Sequence, residues 1–388
     1  GFGDHSERWE ITWVVNADLS ELIARETNSP EFLPYVAEFR REAALSEKTP
    51  SERFMGRVNP TLFLVPPISE TNSSEVDDSN EEKVSHVFPA AGWASVRTGM
   101  VQQHDDVAFI FRSSPFGSFS HSHANNNDFI IHVGGKVMAM PSGYYGGYGS
   151  AHHAHWVWHT KANNCVTLSD ASQLMRSLES RGYVEAHFEN EHLAYFQGNA
   201  DLSYRLQAQR CRRHVIFVKS QNYFVLVDEF IAQPEVTSSV QWNIHSWNKF
   251  VVSDDQKRFK ITREDSTLDG VFLYQHESFI TVSEGWDPPP GKGKPNNQWH
   301  NQYHLRFTPT AYDSKRNLGV ILAPSYPGHK SPEVISKREG DAEIANVGGD
   351  LIAINQAEEM EVAGLTTSAL AIVSTSGATY EITVAGIR

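Results

Sequence analysis

The sequence predicts a mainly β fold, an antiparallel two-sheet β-sandwich that follows a short α-helical segment. From position 88 onward, short runs of β-branched and aromatic residues are separated by glycine, proline and asparagine turns. Helical spacing of apolar residues is scarce in this part of the chain. Many strands with turn signals and no alternating helices are typical of an antiparallel sandwich.

Two segments precede the predicted sandwich. Within residues 1–50, apolar positions from Leu19 to Glu42 have helical spacing, and an Asn-Ser-Pro sequence at 28–30 interrupts them. This pattern predicts two short helices joined by a turn. Residues 51–87 are polar, acidic and proline-containing, so we expect a linker or a long loop there. The sandwich domain is then expected over residues 88–388.

Strand signals cover the whole predicted sandwich. A Gly-Gly pair at 134–135 is typical of a two-residue hairpin turn, and a proline- and lysine-containing stretch, 287–298, predicts a surface loop. Strands are predicted at 93–98, 107–112, 128–133, 136–140, 182–188, 192–196, 204–218, 223–231, 239–245, 259–262, 304–307, 318–322, 369–373 and 380–384.

Composition argues against several classes of function. The formal net charge of −14 repels polyanions, which argues against nucleic acid and against an anionic membrane surface as partners. No apolar run reaches transmembrane length, and the first residues lack the basic and then apolar order of a signal peptide. Cys165 and Cys211 are too few for a disulfide scaffold, and we expect two buried free thiols rather than a pair.

Chemically versatile residues are concentrated between Ser118 and Lys161, where seven histidines and seven aromatic residues occur. Histidine changes charge near neutral pH and is the commonest metal ligand, so this block is the predicted site. From His104 to Lys161 three acidic residues face three basic residues and eight histidines. The block is therefore less negative than its surroundings, and an anionic small ligand or a sugar is the expected occupant.

Two parts of this block leave alternatives open. The histidines from His152 to His159 either form a metal site or lie on a loop where they bind substrate. Asn125, Asn126 and Asn127 either hold a carboxylate with their amides or form a plain turn. The tyrosines between Pro141 and Gly149 have rings that stack on sugars and hydroxyls that move protons.

Six ordered motifs in this part of the chain resemble the C-terminal β domain of heparinase II/III-like polysaccharide lyases, a family that includes alginate and glycosaminoglycan lyases. The resemblance is strong over residues 88–233. The motifs are FPAAGWASVRTG from Phe88, RSSPFG from Arg112, HSHAN from His121, SGYY from Ser142, YGS from Tyr148 and TKANN from Thr160.

This resemblance implies a fold, a partner and a reaction. In the family an α/α toroid precedes the sandwich and the active site lies between them, so the helical segment of this chain looks like the end of a toroid. The rest of the toroid, which commonly carries a catalytic asparagine, histidine and tyrosine, is then an expected partner. The implied substrate is an acidic polysaccharide, with alginate slightly ahead of glycosaminoglycans, and the implied location is secreted or periplasmic.

The implied reaction is β-elimination at a uronic acid, in which positioned donors stabilise the charge that develops on the C6 carboxylate. His121 matches the family's catalytic histidine of the β domain. We predict catalytic and substrate-binding residues from the motif positions and from the chemistry of the side chains. The predicted catalytic residues are His121, Arg112 and Tyr144; the predicted substrate-binding residues are Asn125, His123, Tyr145, His153, Trp156 and Lys161.

Related lyases often hold a structural cation, and the sequence departs from that pattern. His123 is retained, but Pro141 and Asn163 stand where an aspartate and a histidine are expected. We therefore predict no defined cofactor, and a divalent cation (zinc, manganese or calcium) remains an alternative with His123 as its one retained ligand. Asp128 or a histidine between His152 and His159 would have to replace the missing ligands.

Charged residues outside the block have simpler interpretations. In a predicted strand, alternation puts Arg210 and Arg212 on one face and Arg213 on the other; we expect a solvated basic run, with a sugar subsite as the alternative. Asp228 and Glu229 are adjacent on a predicted strand and point to opposite faces, so they do not form the carboxylate pair of a glycosidase. Two rival functions remain, a non-catalytic carbohydrate-binding sandwich and a histidine-rich metalloenzyme of the jelly-roll type.

Overall fold

The computed structural model describes residues 84–99, 106–291, 299–312, 314–383 and 386–387, and separate helical residues between Ser20 and Arg40. The chain divides into two compact units, one formed by Ser6–Glu82 and the other by Lys83–Arg388 with the first five residues. The described residues of the first unit are helical, as the periodicity predicts. The predicted turn at 28–30 and the linker up to residue 83 lie outside the described residues.

The β unit is built from short antiparallel strands. In chain order these are β1 (Ser85–Phe88), β2 (Trp93–Arg97), β3 (Val107–Arg112), β4 (Asp128–Val133), β5 (Lys136–Ala139), β6 (Val166–Leu168), β7 (Tyr183–Glu189), β8 (Leu193–Asn199), β9 (Ala208–Val218), β10 (Tyr223–Ala232), β11 (Val240–Ser246), β12 (Phe250–Val252), β13 (Arg258–Arg263), β14 (Ser266–Leu273), β15 (Ser278–Glu284), β16 (Tyr303–Pro309), β17 (Lys315–Ser325), β18 (Val334–Glu339), β19 (Ala342–Val347), β20 (Asp350–Asn355), β21 (Met360–Val362), β22 (Leu365–Thr367), β23 (Ala371–Thr375), β24 (Ala378–Thr383) and β25 (Gly386–Ile387).

These strands form four sheets and a two-stranded ribbon, β21-β22. The five-stranded sheet runs from β1 to β5 in sequence order. The four-stranded sheet has the order β15-β16-β11-β6, and the eight-stranded sheet has the order β12-β13-β14-β17-β10-β9-β8-β7. The six-stranded sheet has the order β18-β19-β20-β23-β24-β25.

The eight-stranded sheet lies in the middle of three layers. One of its faces, with Phe217 and Phe224, packs against the five- and four-stranded sheets, which contribute Phe109 and Trp242. Its opposite face, with Val225 among others, packs against the six-stranded sheet. Because successive strand residues point to opposite faces, β10 is buried on both sides, and its sequence YFVLVDEFIA is correspondingly apolar.

The predicted mainly β, antiparallel fold is confirmed, and the structure adds a third layer to the two expected sheets. That layer begins with β18, β19 and β20, which contain no aromatic residue. These three strands were not predicted from the sequence, because β-propensity depends on packing against neighbouring strands, and a single sequence does not reveal those neighbours. The free, buried state predicted for Cys165 and Cys211 is also confirmed.

One boundary of the prediction is wrong. Residues 85–87 lie within the predicted linker, 51–87, but form β1 together with Phe88, and β1 pairs with β2 in the five-stranded sheet. The backbone N–H groups of Val84 and Ser85 also donate to the carboxylate of Glu189, at 2.8 and 3.1 Å. The strand was not predicted because its four residues are few and closely follow the acidic stretch that indicates a linker. Residues 292–298 of the predicted surface loop lie outside the described residues.

Helical structure in the described β unit is limited to short turns. The histidine-rich segment, for which a metal site and a substrate-binding loop are the expected alternatives, forms a π-helical turn at His153–Val157. Turns of the 3₁₀ type occur at Thr160–Ala162 and Lys219–Gln221. Gly143 lets the preceding loop approach this π-helical turn, because a Cβ there would meet Val157 at 2.9 Å. No helix in the part of the chain that the structure describes is long and apolar enough to cross a membrane.

Candidate active site

The loop between β3 and β4 carries His121 and His123, and its far end is fixed against the segment after the π-helical turn. The backbone N–H of Ala124 donates to the carbonyl oxygen of Trp158 at 3.1 Å. The hydroxyl of Thr160 donates to the carbonyl oxygen of Ala124 at 2.8 Å. These two bonds bring the His-Ser-His motif next to the histidine-rich helical turn, although more than twenty residues separate them in sequence.

Five side chains meet at this point and form what we call the histidine cluster: His121, His123, Tyr145, Tyr148 and His153. The ring of His121 lies 5.1 Å from that of Tyr148 and 6.1 Å from that of Tyr145, measured between centroids. His153 contacts both tyrosines, at 5.3 and 5.5 Å, and His123 at 6.2 Å. Four predicted site residues are thus brought together, and Tyr148 joins them.

The members of the histidine cluster differ in their access to solvent. His121 is exposed and Tyr148 is 50% exposed, whereas His123 and His153 are buried. The backbone N–H of Gly149 donates to Nδ1 of His153 at 3.0 Å, so the proton of that ring is on Nε2. His121 is accordingly the imidazole that a substrate can reach directly. The buried His153 packs against the rings of Tyr145 and Tyr148.

A cation that the sequence analysis did not select lies beside the cluster. The guanidinium of Arg176 lies 4.8 Å from the ring centroid of Trp158, and Trp158 in turn contacts His153 at 4.4 Å and Tyr148 at 5.4 Å. Arg176 is exposed. Arg176 is far from the motifs in sequence and belongs to no pattern, so only the fold reveals it, whereas Tyr148 lies within a quoted motif and could have been selected.

Arg112 and Asn125 are not in the histidine cluster but in a buried network. Arg112 Nη1 donates to the side-chain oxygen of Asn125, and the Asn125 amide donates to Asp128 at 3.1 Å. Asp128 Oδ1 also accepts the backbone N–H groups of Phe129 and Asn164, both at 2.8 Å. Burial raises the pKa of Asp128 to about 7, and these hydrogen bonds and Arg112 oppose the rise. A structural role therefore explains Arg112 and Asn125, in place of the predicted substrate contacts.

Tyr144 is also separated from the histidine cluster. Its ring is 2% exposed and stacks on Trp299 at 4.6 Å, and its hydroxyl donates to the carbonyl oxygen of His300 at 2.9 Å. His152 lies on the same side, since its Nε2 accepts the backbone N–H of Tyr144. Consecutive tyrosines thus have different neighbours, and Tyr145 rather than Tyr144 is in the cluster.

Trp156 and Lys161 lie in a third environment, on the four-stranded sheet. The ring of Trp156 contacts that of His304 at 5.0 Å, and its indole N–H donates to Ser142 at 3.2 Å. The Lys161 ammonium lies 5.1 Å from the Trp156 ring centroid. These contacts place Trp156 and Lys161 with the four-stranded sheet, whereas Tyr145 and His153 contact each other in the histidine cluster, so the structure divides the predicted substrate-binding residues between two places.

Arg213 connects the asparagine turn to the segment before β6. The prediction of a solvated side chain is wrong for this residue. Arg213 is 0% exposed and forms a two-pronged ion pair with Asp228, at 2.7 and 2.9 Å. Its remaining nitrogen donates to the carbonyl oxygens of Asn127 and Asn164, both at 2.7 Å. The neighbouring carboxylate, Glu229, pairs with a different arginine, which agrees with opposite faces and excludes a glycosidase-like pair.

The asparagine turn and the metal alternative can be assessed from the same contacts. The side chain of Asn126 accepts the N–H of Ser114 and donates to Ser203, both at 2.8 Å, so it fastens loops together as a turn residue. Within the described ranges, no group of three or more His, Cys, Asp or Glu side chains is arranged to hold a metal ion. Asp128, proposed as a replacement ligand, is instead occupied by hydrogen bonds. The residues that the structure describes therefore do not fit a cation site.

Comparison with solved structures shows that the fold of this chain is similar to that of two lyases. Heparan sulfate lyase HepC from Pedobacter heparinus aligns with a TM-score of 0.62 and 16% identity over 93% of this chain and 50% of the lyase. A heparinase III structure aligns with a TM-score of 0.55 and 19% identity over 70% of this chain and 42% of that protein. The chain thus spans about half the length of these relatives. The comparison with curated proteins gave no match.

The sequence also matches a family model, heparinase II/III-like, C-terminal, over residues 80–324. This range contains all six motifs and extends beyond the 88–233 range of the expected similarity. It includes the histidine cluster, the buried network around Arg213 and the four-stranded sheet. Because the match covers more than half of the chain and agrees with the shared fold, the chain belongs to the heparinase II/III-like family through its C-terminal domain.

Proposed function

We propose that this protein is a polysaccharide lyase that cleaves a uronic-acid-containing glycosaminoglycan by β-elimination. The observation that carries the proposal is the histidine cluster, in which the exposed imidazole of His121 lies against the rings of Tyr145 and Tyr148. An imidazole and phenols at an open surface are the groups that a proton-removing and proton-donating pair requires.

The residues of the cluster account for each proton and electron pair of the reaction. His121 removes the C5 proton, and the electron pair of that C–H bond forms the C4=C5 double bond as the C4–O4 bond breaks. The phenol of Tyr148 gives its proton to the departing O4 oxygen. Tyr148 replaces the predicted Tyr144 in this role because Tyr148 is exposed next to His121 and the Tyr144 hydroxyl is hydrogen-bonded to the backbone.

Arg176 is the proposed contact for the substrate carboxylate, in place of Arg112. Its guanidinium is exposed beside Trp158, whereas that of Arg112 is bonded to Asn125 in the interior. A positioned donor that stabilises the charge developing on the carboxylate contributes about 3 kcal/mol to the lowering of the barrier. Tyr145 completes the proposed substrate-binding surface around His121, and the buried His123 supports that surface through its contact with His153.

The substrate class and the partner follow from the family. The similar solved structures are named as heparan sulfate lyase and heparinase III, so we propose a glycosaminoglycan of the heparan type ahead of alginate. Since those proteins are about twice as long as the aligned region, we also propose that an α/α toroid supplies the opposite wall of the cleft. A secreted or periplasmic location is proposed on the same ground, because polymeric glycans are met outside the cytoplasm.

Ultraviolet absorbance of the new C4=C5 double bond tests the function. The protein, with any sequence that its gene encodes on either side, is incubated with heparan sulfate, chondroitin sulfate and alginate. Absorbance that rises with heparan sulfate is the expected result, and a rise with alginate alone would reverse the proposed substrate preference. If no polymer gives the signal while the protein remains folded, the lyase proposal is wrong.

A further inference from the structure

The outer face of the four-stranded sheet forms a second polar surface, which the proposed reaction does not use. Along β16, Leu305 and Phe307 are in the core, so His304 and Arg306 point away from it. The register places Arg306 between Asn243 of β11 and Thr281 of β15. This face therefore presents hydrogen-bonding and charged groups in ordered rows.

Two adjoining cavities turn this face into what we call the sheet groove. The first has a volume of 550 Å³ and lies over the sheet, with Trp156 and Lys161 in its lining. The second, of 370 Å³, shares Phe279 and Thr308 with the first and extends to Tyr312. Volumes of this size are typical of sites that take small molecules or a few sugar units.

Aromatic rings occur along the whole sheet groove. Trp156 lies in the lining of the first cavity, Phe279 lies where the cavities join, and Tyr312 lies in the second. Phe279 is 46% exposed and Tyr312 is 65% exposed, so both rings are available to contact a ligand. Rings spaced between polar side chains suit sugars, whose C–H faces stack on aromatics while their hydroxyls form hydrogen bonds.

The charges in the sheet groove distinguish an acidic ligand from a neutral one. Arg306 is paired with Asp170 and also donates from Nε to Asn243 at 3.0 Å, so its charge is already matched. Lys161 has no ion pair within the described ranges, and its ammonium lies over the Trp156 ring. An unmatched cation beside an aromatic wall, in a protein of net charge −14, is suited to a carboxylate or a sulfate.

We propose that the sheet groove is a second binding site, distinct from the histidine cluster, for a segment of an acidic oligosaccharide. Lys161 contacts the acidic group, and Phe279 and Tyr312 stack on successive sugar rings. The π-helical turn joins the two sites, because His153 belongs to the histidine cluster and Trp156 to the sheet groove. The choice of a glycosaminoglycan as the natural ligand rests on the proposed function, whereas the groove rests on its own geometry.

Calorimetric binding of heparan sulfate oligosaccharides to the His121→Ala variant tests this site without turnover. Lys161→Gln and Phe279→Ala, each added to that variant, are expected to raise Kd by about tenfold. Lys337→Gln on the six-stranded sheet and Val251→Ala on the eight-stranded sheet are matched exposed controls and are expected to leave Kd unchanged. Carboxyl-reduced and desulfated oligosaccharides show which acidic group Lys161 contacts.

The outcomes separate this site from the lyase proposal. Binding that the groove variants weaken, in a protein that cleaves no polymer, supports the sheet groove and removes the lyase. Cleavage by the native protein, together with a Kd that neither groove variant changes, overturns the sheet groove and leaves the lyase. Equal weakening by the groove variants and both controls also overturns the site, because it would indicate nonspecific electrostatic attraction.

Discussion

One short block of sequence supplies all five residues of the histidine cluster and also Trp156 and Lys161 of the sheet groove, yet the two sites present different kinds of chemistry. The cluster places an exposed imidazole against phenol rings, and a nearby guanidinium is its cation. The groove places exposed aromatic rings and an ammonium over a polar sheet face. The difference teaches that one segment rich in histidine and aromatic residues can contribute to two neighbouring sites, one suited to proton transfer and one suited to binding an oligosaccharide.

The largest expected effect is a loss of turnover that leaves binding in the sheet groove unchanged. His121→Ala should lower kcat by roughly 10²- to 10⁴-fold, because it removes the proposed base, and should leave binding in the sheet groove intact. His155→Ala is the matched control, since His155 is an exposed histidine on the π-helical turn that joins the two sites. Ultraviolet product assays and calorimetry measure the two quantities. Equal losses of turnover in both variants would contradict the assignment of His121.

The next largest expected effect is on the stability of the fold that carries both regions, and it concerns Arg213. Arg213→Ala leaves the buried carboxylate of Asp228 without its partner and frees the carbonyl oxygens of Asn127 and Asn164. Breaking a buried pair of this kind costs about 3 to 5 kcal/mol. The measurement is the free energy of unfolding by denaturant.

The matched control for this prediction is Arg205→Ala. The side chains of Arg205 and Glu179 form an exposed pair, and its loss should cost about 0.5 kcal/mol. A loss for Arg213→Ala as small as that of the control would show that the buried network contributes little to the stability of the fold.

The strand content and the location of the site could be predicted from the sequence, and the division of the site could not. Alternation along strands and turn residues revealed most of the elements, and the density of histidine revealed the block. In loops, side-chain direction depends on backbone angles that do not repeat regularly along the chain. The sequence therefore does not show that Tyr144 and Tyr145 have different neighbours. Arg176 reaches the cluster only through the fold, and Arg112 is buried by a network whose members are distant in sequence.

Tyr148 and Tyr144 lie in different environments, and substitutions at these two positions are expected to give a smaller effect than that of His121→Ala. Tyr148→Phe should lower kcat roughly 100-fold, because the proposed proton donor is lost, and should leave stability unchanged at its half-exposed position. Tyr144→Phe removes the bond to the carbonyl oxygen of His300 and should lower stability by about 1 kcal/mol with little change in kcat. Product assays and denaturant unfolding of both variants check this contrast, and the reverse pattern would restore Tyr144 to the catalytic role.

The smallest predicted effect concerns two histidines at the base of the sheet groove. The Nε2 atoms of His245 and His304 lie 3.1 and 2.6 Å from the carbonyl oxygens of Asn163 and Gly285, and their Nδ1 atoms are 2.8 Å apart. With a proton on each Nε2, the two Nδ1 atoms form a hydrogen bond only when a third proton lies between them. The pair then carries a positive charge.

This charge should make binding in the sheet groove weakly dependent on pH. Burial lowers the pKa of His304 to about 4 and holds the pKa of His245 well below its usual value, to which the nearby His304 and Arg306 also contribute. An anion in the groove stabilises the protonated pair and so raises its pKa, which means that affinity increases as pH falls. A rise of one pKa unit gives about a twofold tighter Kd at pH 5 than at pH 7.

Calorimetry of the His121→Ala variant with sulfated oligosaccharides measures this change, because sulfate remains charged over the interval. Lys161→Gln removes the proposed contact with the anion but leaves the histidine pair in place, so it should weaken binding at both pH values and keep the ratio of the two Kd values. His304→Gln should abolish the ratio, since the third proton then has no paired imidazole to hold it. A Kd that is the same at both pH values in the His121→Ala variant would show that the pair stays uncharged beneath a bound anion.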